Sequence, residues 1–451
     1  MSYITKESQD VKNIFNRFKK RDFSGIGGQV IKNSTYQLST NIIFKLGSVF
    51  FTIIIARMLG VELFGLYSLA LSTIVLFSAF SDLGIGTTLL TFVSKSLAKN
   101  NLKKAKSYFN ILLKYKIYLT IISSLSLITC AYFLANNYYQ KPIFYALLAG
   151  VLYIPASSFA GFLITVFQAN NNFKIPMIKE IIFQLSKFTL IPIGILLLLK
   201  TTSSTRIIIG TVILLTGISW LISLSYLKIS AKKHISYMKE NPDLLTKKDK
   251  TELKKFISPL VLTVLSGMFY GYIDTIMLGH YISDVAYIGF YGVALSLVGS
   301  LAAIISFMPG VVLPIFSRLE KKSLDHIFVK IRNFTILLGL LSTSFVYFFA
   351  KYILLLYGKE FLQATIFLQL LSFMLILTPI IGLYDAYFAS RKKTGIIATI
   401  LILSTITNIV LNIVFINYGL QFGMNEAILG ACFASLFSRG LHLTGFLIFK
   451  K

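Results

Sequence analysis

Apolar stretches long enough to cross a bilayer recur twelve times along the chain. They fall at 36–58, 64–92, 109–135, 143–169, 177–199, 206–228, 256–281, 285–317, 327–357, 360–389, 394–416 and 419–449. About 20 helical residues cover a hydrocarbon core roughly 30 Å thick, and several of these stretches are longer, which implies tilt. No water satisfies the backbone inside that core, so a spanning segment must be a helix or a strand of a closed barrel. Barrel strands are short and alternate polar with apolar residues; these runs do neither. Charged residues make up 14% of the chain and hydrophobic ones 55%, against about 25% charged for a soluble domain. A soluble enzyme and a disordered chain are both excluded.

The remaining charge is lopsided. Net charge is +27. On a soluble protein this would suggest nucleic acid; between membrane spans it marks basic loops beside anionic lipid, so anionic membrane lipids are the expected partner and nucleic acid is not. Starting from the N-terminal arm, alternate connections hold 35 Lys and Arg while the others hold six. By the positive-inside rule both termini, 95–116, 228–255, 318–332 and 391–393 face the cytoplasm, and the number of spans is even. The expected location is the cytoplasmic (inner) membrane. In the arm, Val11, Ile14, Phe15 and Phe18 follow helical spacing among Lys12, Arg17, Lys19, Lys20 and Arg21. That pattern predicts an amphipathic helix lying on the cytoplasmic leaflet. Residues 1–35 lack the apolar core of a cleavable signal, and Cys130 and Cys432 sit in apolar runs as small hydrophobes.

The polar connection 229–255 separates 36–228 from 256–451, with 1–35 as a basic arm. The two parts resemble each other. Met58-Leu59-Gly60 precedes Gly65, Tyr67, Leu69, Ala70, Leu71 and Ser72; Met277-Leu278-Gly279 precedes Gly289, Tyr291, Val293, Ala294, Leu295 and Ser296. An offset of 224 pairs Gly65 with Gly289, Gly86 with Gly310 and Phe92 with Phe316. Six spans in each part make the repeat parallel, about an axis along the membrane normal. The expected fold class is an all-α membrane protein, with twelve transmembrane helices in two parallel six-helix bundles around a central cavity. Rocking one bundle against the other gives alternating access, which makes transport the leading class.

Two stretches carry a family likeness. Ala56-Arg57-Met58-Leu59-Gly60-Val61-Glu62-Leu63-Phe64-Gly65-Leu66-Tyr67, followed by Phe80-Ser81-Asp82-Leu83-Gly84-Ile85-Gly86, resembles the opening of the polysaccharide (O-antigen type) flippase family. That family belongs to the multidrug/oligosaccharidyl-lipid/polysaccharide exporter superfamily. Length, span number and paired parts fit along the whole chain. The resemblance implies translocation of an undecaprenyl-diphosphate-linked oligosaccharide for polysaccharide biosynthesis, with polysaccharide polymerase machinery as a partner.

A charge at the bilayer centre costs about 2.5–3.5 kcal/mol on insertion scales, so such residues face a cavity or pair internally. Lys45 lies nine residues into its span, about 13 Å deep at 1.5 Å per residue. It shares a face with Gln37 and Asn41. Lys187 shares one with Glu180 and Gln184, and Arg439 with Ser435 and His442. Together they predict a cationic mid-membrane region for a pyrophosphate, with the alternatives of snorkelling or ion pairs: Glu180 for Lys187, an interhelical partner for Arg439. Arg57, at the outer end of span one, reads as an exit-side phosphate contact or a structural loop contact. Asp82, beside Gly84 and Gly86, reads as a cation partner, a proton or sodium site, or a helix-break residue. Asp274 closes a stripe with Thr263, Gly267 and Tyr270 near the outer end of span seven, where solvent exposure is the alternative. Asp385 is expected to pair with Arg391 at the interface. Ser404, Asn408 and Asn412 line one face for sugar hydroxyls or interhelical bonds.

No catalytic constellation is visible. The four histidines (His234, His280, His326, His442) lack metal spacing, and no Walker loop is present, so neither an enzyme nor a cofactor is expected. A cation-coupled drug exporter of the same superfamily would want acids in the cavity, where basic residues predominate here. A peptidoglycan-precursor flippase resembles a fourteen-span pattern. A membrane glycosyltransferase or polymerase would need a large external loop or an acid/base pair.

Overall fold

The computed structural model describes residues 25–201, 204–306, 316 and 321–450. The predicted helix around Val11–Phe18 and the pairing partner Gly310 lie outside them. The described residues form thirteen α-helices and no strand: α1 Gly25–Ala79, α2 Ile85–Ala98, α3 Leu102–Phe133, α4 Phe144–Ala169, α5 Lys174–Thr201, α6 Thr205–His234, α7 Lys247–Tyr281, α8 Val285–Ile305, α9 Lys321–Leu355, α10 Thr365–Leu371, α11 Met374–Ser390, α12 Thr394–Leu420 and α13 Met424–Lys450. Among the described residues ten helices are long and apolar enough to cross a membrane, or eleven if Lys359–Leu371 and Met374–Ser390, bent by 41°, make one span. This is a multi-pass helical membrane protein.

Among the described residues the predicted stretches fall largely on helices, with 307–315 and 317 of the eighth lying outside them, but the breaks differ from the loops expected between them. The first two stretches share α1. Its continuity is interrupted at Gly60, with φ 71° and ψ 178°, a conformation essentially restricted to glycine. The second stretch is itself broken. Its helix stops at Ala79, and Leu83 and Gly84 take φ of 42° and 86° before α2 begins. That turn places Asp82 at a helix break instead of mid-helix.

The helices of 25–234 pack chiefly on one another, as do those of 247–450. The main contact between the two sets is α1 on α8. There the repeat becomes geometry. A Cβ added at Gly65 would lie 2.3 Å from the Val285 carbonyl oxygen, and one added at Gly289 would lie 2.3 Å from that of Val61. Val61 and Val285, like Gly65 and Gly289, are 224 residues apart. Each helix therefore presents the same residues to the other, as across a two-fold axis. One turn on, a Cβ at Gly292 would meet the Ser68 hydroxyl at 2.8 Å, and Ser68 and Gly292 share that offset. Small residues let two backbones approach this closely.

Substitutions along this seam separate contact from composition. Gly65→Val and Gly289→Val place methyls inside a neighbour's backbone and should each cost about 1–3 kcal/mol or more. Gly161→Ala and Gly267→Ala, with no other atom within 4 Å of the new Cβ, should be near neutral. Thermal midpoints of the detergent-solubilised protein measure the difference; equal losses at all four positions would mean the glycine contact does not hold the two sets together.

Candidate functional site

Polar and charged side chains inside the helices gather in three places. The first lies along α1 and α5. Gln37 and Asn41 are exposed and Lys45 is half-buried. Lys45 Nζ stands 5.1 Å from the ring of its neighbour Phe44, and among the described residues no acid pairs with it. Gly47 makes room for Gln184 of α5, whose amide would lie 2.7 Å from an added Cβ. Gln184 donates to Glu180 at 2.8 Å, and Lys179 donates to the other Glu180 oxygen at 3.2 Å. Lys187 is 7% exposed and faces aromatic rings, with Nζ 4.1 Å from the centre of Phe51 and 5.4 Å from that of Phe183. Lys179 lies 4.0 Å from the ring of Trp220 in α6. Glu180 thus gives its carboxylate to Lys179 and Gln184, while Lys187 is stabilised by cation–π contact.

The second place is the break between α1 and α2. Lys116 of α3 is buried and bonds to Asp82 Oδ1 at 2.9 Å, while the Asp82 side chain stays 39% exposed. Ser81 and Thr120 both contact the Ser158 hydroxyl, at 2.8 and 3.3 Å. Asp82 is therefore a cation's partner at a helix break.

The third place lies among α7, α8, α12 and α13. Asp274 is 3% exposed, so it is not the solvent-facing residue that its position near a helix end allowed. Tyr291 donates to it at 3.0 Å, Asn412 at 2.7 Å, and Ser435 through a short hydrogen bond. Asn412 also donates to the Asn408 carbonyl, and Asn408 to Ser438. Asn408 and Asn412 thus serve interhelical bonding, whereas the Ser404 hydroxyl bonds within its own helix, to the Ile400 carbonyl. Arg439 donates to the Ser435 carbonyl at 3.0 Å and lies over the Tyr270 ring at 4.9 Å. Among the described residues, the buried Oδ1 atoms of Asn408 and Asn412 and both His442 nitrogens have no hydrogen-bond partner. The Asp274 carboxylate is thus satisfied by three donors from three neighbouring helices. Among the described residues no group of three or more His, Cys, Asp or Glu stands in metal-binding array.

Of the predicted site residues, Lys45, Asn41 and Lys187 lie along the α1–α5 pair, whereas Arg439 and Asp274 share the third cluster. Arg57 stands apart, donating to the Leu356 and Leu355 carbonyls at 2.6 and 3.2 Å. Asp385 and Arg391 form no pair; Oδ1 of the one and Nη2 of the other are buried without a partner. Six residues apart, they do not share a helix face. Sequence reasoning missed Lys116, Lys179 and Lys141, all counted as loop charges and all buried. The signal for the first two was an acid within reach: Glu180 adjacent, and Asp82 in a glycine-rich break.

The fold is that of a family of solved membrane transporters. An inward-facing multidrug resistance MATE family transporter of the MOP superfamily superposes with a TM-score of 0.63 at 13% identity, over 92% of this chain and 93% of that one. The Vibrio cholerae MATE transporter VcmN, solved as a mutant, gives 0.60 at 15% identity over 93% and 97%. A eukaryotic MATE transporter gives 0.59 at 14% over 92% and 94%. At these identities the likeness defines the fold. The sequence profile described as "Polysaccharide biosynthesis protein" matches residues 30–320, and the chain belongs to that family. A search of curated proteins finds no significant match.

The third cluster generates its own test. Asp274→Ala strands the Tyr291 and Ser435 hydroxyls and the Asn412 amide, at about 1–3 kcal/mol for each buried group left unsatisfied. Asp274→Asn keeps an acceptor. The thermal midpoint should fall further for Ala than for Asn. Identical midpoints would mean that Asp274 does not tie the four helices together.

Proposed function

We propose that the protein is a flippase that moves undecaprenyl-diphosphate-linked oligosaccharide units across the cytoplasmic membrane by alternating access, for polysaccharide biosynthesis. Two six-helix units, 36–228 and 256–451, rock about the α1–α8 seam, and both termini face the cytoplasm. Membership of the polysaccharide biosynthesis family and the transporter fold support this reading. One observation carries the choice of an anionic head group. The buried lysines Lys116 and Lys179 each have an acid, but half-buried Lys45, in its stripe with Gln37 and Asn41, has none among the described residues. An ammonium without a counter-ion in a membrane span is a place for an anion to bind. A diphosphate would take charge-assisted hydrogen bonds there, and sugar hydroxyls would meet the amides of Asn41 and Gln37.

The same bookkeeping disfavours a drug exporter. Cationic drugs need free carboxylates within the spans, yet Asp82 and Glu180 are taken by lysines and Asp274 by three donors, and the unpaired Asp385 lies near the end of its helix.

Three observations test the proposal. Reporter fusions in 95–108, 229–255 and 391–393 should read cytoplasmic, and those in 136–141 and 417–424 external. A deletion strain should accumulate lipid-linked sugar on the cytoplasmic leaflet. Replacing Lys45 should leave abundance intact while surface polymer per membrane protein falls in the order wild type, Arg, Ala, Glu, because a charge-assisted bond worth about 1.5–3 kcal/mol is lost. Equal polymer for Ala, Glu and wild type would remove the main support for a cationic site.

A further inference from the structure

We propose that Lys141 and Arg57 are the two arms of a latch that holds the outer ends of the two halves together and must release during transport. This rests on the flippase reading for the direction of the cycle. It reassigns Arg57 from a substrate contact to a gate residue, and it assigns Lys141 for the first time.

The contacts lie at one end of the molecule, opposite the lysine-rich connections. Lys141 sits between α3 and α4 and is 6% exposed. Its ammonium has three donors, and three carbonyls accept them: Tyr139 at 3.2 Å, Gly279 at 2.8 Å and Ile282 at 2.7 Å. Gly279 and Ile282 belong to the C-terminal end of α7, where carbonyls lack helical partners and the helix dipole is negative. Arg57 repeats the chemistry at the C-terminal end of α9, donating to Leu355 and Leu356. In both arms the cation comes from the first half and reaches carbonyls of the second, Gly279 and Ile282 for Lys141 and Leu355 and Leu356 for Arg57.

The two arms are related as the halves are. The outer end of the first span meets the end of α9. The end of α7, the first span of the second half, meets the end of α3. Between the arms, His280 donates from Nδ1 to the Tyr138 carbonyl at 2.7 Å and stacks on its ring at 4.3 Å. Phe361 meets Phe64 and Phe290 edge-on at 6.0 and 6.5 Å. The Gly65–Gly289 contact lies just below.

Among the described residues neither cation in this closure has a carboxylate partner. A buried ion pair is hard to separate, because each charge is left uncompensated. An ammonium held by carbonyls exchanges them for water when the end opens, and the carbonyls are hydrated in turn. The closure is thus tight when shut and reversible when wet. Burial lowers the Lys141 pKa below the ordinary lysine value, and the three carbonyls are the groups that face its ammonium.

The test uses the full-length chain with Cys130→Ala and Cys432→Ala. A Tyr138→Cys/His280→Cys pair, joined by oxidation across the stacked rings, should abolish transport of lipid-linked sugar, and reduction should restore it. Separately, Ser68→Cys on the seam reports opening through a membrane-impermeant maleimide applied outside. In that background Lys141→Met, Arg57→Met and the double variant, compared at equal monodisperse amounts, should label at least about tenfold faster than the parent, and Lys141→Arg close to it. Transport by the cross-linked protein at the uncross-linked rate, or unchanged labelling in the double variant, would overturn the latch. The labelling needs no substrate. Faster labelling in a protein that moves no lipid-linked sugar would sink the flippase reading and leave the latch standing.

Discussion

The backbones of α1 and α8 touch at Gly65 and Gly289, and no side chain fits between them. Helices in lipid gain little by hiding apolar surface from each other, since lipid tails are equally apolar. Close van der Waals approach and interhelical hydrogen bonds hold them instead. The glycine contact supplies the approach, and what surrounds it follows. With the helices this near, Ser68 faces Gly292, the end of α7 reaches Lys141, and the end of α9 reaches Arg57. The offset of 224 residues gives the contact its symmetry, because one pair of residues serves both sides.

Charge follows a second rule, which is pairing. Lys116 bonds to Asp82 and Lys179 to Glu180, while Asp274 is ringed by Tyr291, Asn412 and Ser435. Each arrangement offsets the desolvation of a buried charge. Lys187 uses the faces of Phe51 and Phe183. Lys45 has only the ring of Phe44 and partial exposure. The proposed binding role rests on this contrast within one chain, more than on the number of basic residues.

The helices were legible in the sequence because lipid demands length and apolarity, and both are written residue by residue. The seam was legible as a repeat of Gly65 at Gly289, though not as a contact between the two, since self-similarity does not say which copies touch. The breaks were harder. Gly60 ends one span inside a run that reads as a short loop, and only its backbone angles show helix on both sides. The buried lysines were invisible for a different reason. Lys116 and Lys179 lie near the edges of apolar stretches, where charges usually meet water. Here α3 and α5 begin earlier, at Leu102 and Lys174, so these side chains sit inside packed helix. Lys141 does lie in a loop, between α3 and α4, and is buried because the end of α7 covers it. Sequence patterns report affinity for lipid or water and say little of neighbouring helices, which decide such positions.

A seam of glycines suits a joint that must open. Interdigitated side chains have to change rotamer before two helices part, and close packing resists that. Two backbones in contact carry no such teeth, so separation costs contact area without repacking. Gly65 and Gly289 thus give a joint that is close when shut and smooth when parting. The restraint has to come from elsewhere, and polar groups at the rim provide it: Lys141, Arg57 and His280 each hold backbone carbonyls that water replaces. Strength is placed where water enters first, and the deeper contact is left free of polar bonds whose loss lipid would not make good. A hinge arranged in the opposite order, with ion pairs at its centre and glycines at the rim, would strand charges in hydrocarbon at each opening.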